Sequence, residues 1–109
     1  MMCFFEFHAK PSEDNQYHGK IKNGKAYVFV SNDNPDIAEF IARSYVSAQR
    51  WIAGELDGAY EILPAVVSTW DEEQAEVYHR AAQNGVAGFF SATLESEIPG
   101  GPLLRVRPY

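Results

Sequence analysis

Between Ala26 and Ser68 the sequence reads strand, helix, strand, with a cap or a breaker at nearly every boundary, which confines the chain to layers of sheet and helix. The helix has the clearest start. Asn34 can cap it, Pro35 suits the first helical position because its missing N–H would be unpaired there anyway, and Asp36 complements the positive end of the dipole. At about 100° per residue, Ile37, Phe40, Ile41, Ser44, Ala48, Trp51 and Ile52 share one face and Glu39, Arg43, Ser47 and Arg50 the opposite one. The spacing therefore predicts a helix that lies on a sheet, with Trp51 as a core anchor, and ends within Gly54 to Gly58.

Around this unit, Cys3 to Ala9 has strand character, with Cys3, Phe5 and Phe7 on one face and Phe4, Glu6 and His8 on the other. Lys10 to Gln16 is a polar loop. Tyr17 to Lys22 and Lys25 to Val30 flank Asn23-Gly24, a pair suited to the positive φ angles of a type I′ turn, and predict a hairpin. Tyr60 to Ser68 is strand-like with a bend or edge position at Pro64. Thr69-x-x-Glu72 forms a capping-box pattern that opens a second helix, with Ala75, Tyr78 and Ala82 on its inner face and Asn84-Gly85 as its left-handed stop. Gly88 to Thr93 is a strand, Glu95 to Gly101 a loop and Leu103 to Val106 a short edge strand.

The expected fold is a single α+β domain over 1–109, with 95–109 a loop and C-terminal tail. Its form is a ferredoxin-like sandwich, two helices packed on one face of a four- or five-stranded, mainly antiparallel sheet. A small α/β sheet with helices on both faces is the alternative.

The chain has 109 residues, enough to bury about two-thirds of its unfolded surface, so it needs no staple. A single cysteine, Cys3, rules out an intramolecular disulfide framework and fits a reducing cytoplasm. Met1 to Lys10 lacks the basic start and small-residue cleavage site of a signal peptide. No segment approaches the roughly 20 apolar residues of a membrane helix. The net charge of −6 argues against nucleic acid, whose binding depends on clustered Lys and Arg. Between Arg50 and Arg80 there is no basic residue at all, while Glu55, Asp57, Glu61, Asp71, Glu72, Glu73 and Glu76 all fall there.

No catalytic, cofactor or metal motif is present. Cys3 and His8 fall on opposite faces of their strand, so they cannot form a nucleophile and base, and Cys3 among phenylalanines reads as a buried small hydrophobe. Cys3, His8, His18 and His79 have no zinc-ligand spacing. Asp71, Glu72, Glu73 and Glu76 offer paired carboxylates, but acids at a helix start are favoured by the dipole. Gly85-Val86-Ala87-Gly88 follows a helix instead of opening one, so it cannot cradle a phosphate.

The segments Ala26 to Trp51, Gly54 to Ile62 and Glu76 to Phe90 together resemble small uncharacterised bacterial α+β proteins in which a strand leads into an Ala-rich helix ending at a Trp. That resemblance implies a fold and carries over no activity and no functional residue.

One feature resists a helices-on-one-face sheet. Tyr27 and Phe29 oppose Ala26, Val28 and Val30, Ile62 and Val66 oppose Leu63, Ala65 and Val67, and Phe89 and Phe90 point oppositely. Both sheet faces are apolar, and a monomer rarely leaves such a patch in water. Loops, the tail or another chain must cover it. The leading expectation is a non-enzymatic, cytoplasmic domain that works by protein–protein contact, as a homodimer built on the open sheet face. Its acidic region, Glu55 to Glu76, is a second surface for a basic protein partner. The rival is a small-molecule binding or catalytic domain with an aromatic pocket between sheet and helices formed by Tyr27, Trp51, Tyr60 and Trp70. A concave pocket with polar groups selects the rival. A two-fold interface without a pocket selects the homodimer.

Overall fold

The computed structural model describes residues 1–94 and 103–106. In chain order the elements are β1 (Met2–Pro11), β2 (Ile21–Ser31), α1 (Pro35–Ala48), β3 (Trp51–Ile62), α2 (Pro64–Val67), α3 (Glu72–Asn84), β4 (Val86–Leu94) and β5 (Leu103–Val106). They form an α+β structure around one five-stranded sheet of order β3-β1-β2-β4-β5, every neighbouring pair antiparallel. The expected edge strand at Leu103–Val106 is β5, whereas the loop expected over 95–101 lies outside the described residues.

Two expectations about the architecture are corrected. A ferredoxin-like order places a helix between the first two strands, but here β1 and β2 are sheet neighbours joined directly by residues 12–20. The helices also do not share a face. Ala38, Ala42 and Val46 of α1 pack with Cys3, Phe5, Phe7, Val28 and Val30. Val77 and Ala81 of α3 pack with Met2, Phe29 and Ala87, the residues that alternate to the other side. The two-sided apolar strands are thus met by one helix on each face, the helix placement of the alternative, while the sheet itself is antiparallel and not of the α/β kind.

The Asn23-Gly24 hairpin is absent. β2 runs unbroken through it, and the register with β4 jumps from Lys22↔Thr93 to Lys25↔Ser91, so two residues stand opposite Ala92 alone. This is a β-bulge. Asn23 alone takes positive φ (54°), where a type I′ turn needs two such residues. Gly24 is required for another reason: a Cβ there would overlap the carbonyl oxygen of Ala9 and lie 3.2 Å from the Trp51 ring.

Helix α1 starts as expected, with Asn34 Oδ1 accepting from the backbone N–H groups of Asp36 (2.9 Å) and Ile37 (3.2 Å) and Pro35 in the first turn. Its buried face and its end differ from expectation. Ala38, Ala42 and Val46 are sealed while Ile37 and Phe40 are exposed, because small residues let the helix axis approach the sheet more closely than the large ones do. The helix stops at Ala48, well before the glycines. Arg50 takes the left-handed conformation (φ 65°), and its carbonyl accepts from the Ser12 backbone (3.1 Å), the Ser12 hydroxyl (2.9 Å) and the buried Asn15 amide (2.8 Å). Trp51 is therefore buried as expected, but on β3 instead of the helix, stacked on Phe90 at 4.9 Å.

Pro64 opens the one-turn α2 and bends no strand. The box at Thr69 is also corrected: the Thr69 hydroxyl donates back to the Val66 carbonyl (2.7 Å), and Asp71 caps α3 by accepting from Gln74 N–H (2.8 Å). A cap one turn from its own helix start cannot reach the free N–H groups. α3 buries Val77 and Ala81 in place of Ala75 and Ala82, and ends at Gly85 (φ 92°) as expected. Among the described residues no helix is long and apolar enough to cross a membrane.

Candidate functional site

Strand register sets out the second face of the sheet as a grid. One row reads Tyr60, Phe4, Phe29, Ala87 across β3, β1, β2 and β4, and the next reads Gly58, Glu6, Tyr27, Phe89. Paired residues in an antiparallel ladder project to the same side, so the rings meet. Phe4 lies 4.9 Å from Phe29 and 6.2 Å from both Tyr27 and Tyr60, and Tyr27 stacks on Phe89 at 4.8 Å.

α3 covers only one end of this floor. Trp70, in the link before α3, leans on Phe29 at 5.8 Å and on Tyr78 at 6.3 Å. The remainder is a cleft of about 450 Å³, floored by Phe4, Tyr27, Phe29 and Phe89 and walled by Ile62 and Trp70. Gln74 and Ser91 join Tyr27 in bringing polar groups to its lining.

Beyond the cleft the same face turns ionic. Lys25 Nζ donates to Glu6 Oε1 at 3.0 Å and lies 3.2 Å from Asp57 Oδ2, and His8 Nε2 lies 3.0 Å from Asp57 Oδ1. The Glu6 hydrogen bond, then the one to Asp57, raises the Lys25 ammonium above its ordinary value. Asp57 reaches this group because the β1–β3 register shifts between Glu6 and Ala9. Two carboxylates absorb Lys25, so it is poorly placed to recruit an anion.

Of the four aromatic residues expected to form a pocket, the structure brings Tyr27 and Trp70 to the cleft lining, and sets Tyr60 beside it on Phe4. Trp51 is not part of it: as the first residue of β3 it points into the opposite, sealed face. Phe4, Phe29 and Phe89 were missing from the expected set. Their alternation was visible, but their meeting depends on which strands are neighbours.

The expected acidic surface is divided in two. Glu55, Asp57 and Glu61 lie along β3, with Asp57 turned to Lys25, while Asp71, Glu72, Glu73 and Glu76 are exposed at the start of α3. Cys3 sits in the α1-side core with its Sγ 3.7 Å from the Asn32 carbonyl, and burial pushes its thiol up. His8 lies on the other face, and the two do not meet. Comparison with protein-family profiles, curated proteins and solved structures gives no match, so no residue role is transferred to this chain.

Proposed function

We propose that this chain is a binding domain for a small, flat, largely apolar molecule held in the aromatic cleft. The observation that carries the reading is the concave form of the half-covered face, five rings and an isoleucine around about 450 Å³ with polar groups from Tyr27, Gln74 and Ser91. Ligand sites of this size, mostly apolar with a few oriented polar groups, are the usual form of small-molecule pockets. Among the described residues the lining pairs no nucleophile with a base, and the reading is one of binding.

The test uses N-phenyl-1-naphthylamine, an uncharged apolar dye whose emission rises on leaving water. Saturable enhancement is expected, lost in Phe89→Ala and retained in Phe40→Ala, which alters an exposed ring on the other side of the sheet. Equal loss in both, or no saturation, overturns the reading.

A second reading takes the same rings as a contact between two copies. Tyr60, stacked on Phe4 yet 57% exposed, favours it. A two-fold contact of this kind should bury on the order of 1,000 Å² or more. Sedimentation at micromolar concentration separates the two: a mass of one chain, with dye binding intact, leaves only the ligand reading.

A further inference from the structure

We propose that the outer edge of β3 is a docking edge for an extended basic segment of a partner protein, added to the sheet as a further strand. β3 is the outermost strand on its side, and among the described residues no strand pairs with its free edge. Glu55, Ala59, Tyr60 and Glu61 along it are exposed. An open edge is a row of unpaired backbone N–H and C=O groups, which proteins usually block with charged side chains, proline, a bulge or a very short strand. Of these β3 has acidic charges and the register shifts of its first half. It is 12 residues long and contains no proline, lysine or arginine.

Its charges are all acidic: Glu55, Asp57 and Glu61. Asp57 is already held by Lys25 and His8; pairing β3 with a second copy of itself across a two-fold axis would bring Glu55 and Glu61 of both copies onto one ladder, where neighbouring like charges are destabilising. The same charges favour a basic strand. They reject one partner class and attract another, which is how specificity is built.

The usable template is Gly58 to Ile62. There β1 pairs with β3 in unbroken register, from Met2↔Ile62 to Glu6↔Gly58, whereas the shifts between Glu6 and Ala9 distort the other half. At Gly54 the edge is already capped, since Arg43 Nη1 donates to its carbonyl at 3.1 Å. Within the template, Tyr60 and Glu61 point to opposite faces. A segment paired there places residues opposite Glu61 on one face and opposite Tyr60 on the other. Basic and apolar residues alternating with period two satisfy both.

The experiment uses an eight-residue peptide of alternating Lys and Val, the corresponding Glu and Val peptide, and a Lys–Val peptide of equal charge with its lysines contiguous. Backbone amide shifts and hydrogen exchange are followed at low salt. The alternating basic peptide should give saturable shifts centred on Gly58 to Ile62, slow exchange there, and bind on the order of tenfold more tightly than either of the others. The double variant Glu55→Lys, Glu61→Lys, at two exposed positions, should reverse the preference between basic and acidic peptides while its own amide spectrum stays folded. Shifts confined to Asp71 to Glu76, equal binding of the contiguous peptide, unchanged preference in the double variant, or no binding of any peptide each overturns the proposal. The dye test of the cleft is read separately, so either conclusion can fail alone.

Discussion

On the α1 side of the sheet Phe7, Val28, Val30 and Phe90 are fully buried, whereas on the α3 side Phe4, Tyr27 and Phe89 are only half-buried and Tyr60 stands largely in water. The central strands are apolar on both sides, but the α3 side turns ionic at Glu6, His8, Lys25 and Asp57, and its helix covers less of the apolar part. α1 brings Ala38 and Ala42 close to the strands, and Trp51 and Tyr45 fill the ends of its footprint. α3 packs through Val77 and Ala81 at one end of its face and leaves the other end to bare rings. A face sealed to this degree contributes stability, and a face left half-open is available for binding.

The largest test sets one aromatic from each face against the other. Trp51→Ala should cost roughly 3 to 5 kcal/mol in urea denaturation, the range for deleting a fully buried large side chain. Phe89→Ala, which already meets solvent, should cost about 1 to 2 kcal/mol. Equal losses would show that the second face is as closed as the first.

Gly24 tests the sealed face from below. Because a Cβ there overlaps the Ala9 carbonyl and crowds Trp51, Gly24→Ala should destabilise by about 1 to 3 kcal/mol through backbone displacement. Gly85→Ala meets open space and pays only for its positive φ, roughly 1 kcal/mol. If the two costs prove equal in parallel melts, the bulge accommodates the methyl and the close approach is not the reason for glycine.

The contrast between those glycines shows what the sequence could convey. Asn84-Gly85 is a local stop and was legible, as were Asn34-Pro35 and the alternation of Cys3 to His8. Asn23-Gly24 carries the same local signal as a hairpin turn, and only pairing of β2 on both sides makes it a bulge. The inner face of α1 was misread because large residues such as Ile37 and Phe40 dominate an apolar stripe, while close packing selected Ala38 and Ala42. For the cleft, Tyr27 and Trp70 were legible as aromatic residues near a sheet. Phe4, Phe29 and Phe89 were not, because their meeting follows from the order β1-β2-β4, which no local pattern encodes.

Tyr45 sharpens the comparison through polar groups. Among the described residues β5 pairs β4 from Phe90 to Thr93, and at Gly88 the Tyr45 hydroxyl both accepts from the backbone N–H (3.2 Å) and donates to the carbonyl (3.3 Å). Tyr45→Phe should cost about 1 to 2 kcal/mol by leaving these groups unmatched. Burial pushes the Tyr45 phenol up, as it does the Cys3 thiol. Both groups hold their protons more tightly folded than unfolded. Their contribution is therefore complete at neutral pH and declines as pH rises past the unfolded values of about 8.5 and 10. Denaturation between pH 7 and 10.5 should show stability falling, with a smaller fall in Tyr45→Phe. A rise would contradict the sealed face.

The smallest expected effect lies at Arg50, in the link between α1 and β3. A left-handed conformation costs a non-glycine residue roughly 1 kcal/mol or more, and here the three hydrogen bonds into its carbonyl from Ser12 and Asn15 hold it there. Those bonds use the backbone, so Arg50→Gly keeps them and removes the strain. Among what it loses is a long 3.9 Å ion pair with Asp14 between two exposed side chains, a kind of contact with little net effect. Glycine also gains freedom in the unfolded chain, which offsets part of the relief. The net expectation is a change between zero and about 1 kcal/mol toward greater stability, read as a small rise in denaturation midpoint at constant slope. A loss above about 1 kcal/mol would mean that the Arg50 side chain, and not its carbonyl, ties the 12–18 loop to the start of β3, and would move the boundary of the sealed face outward to include it.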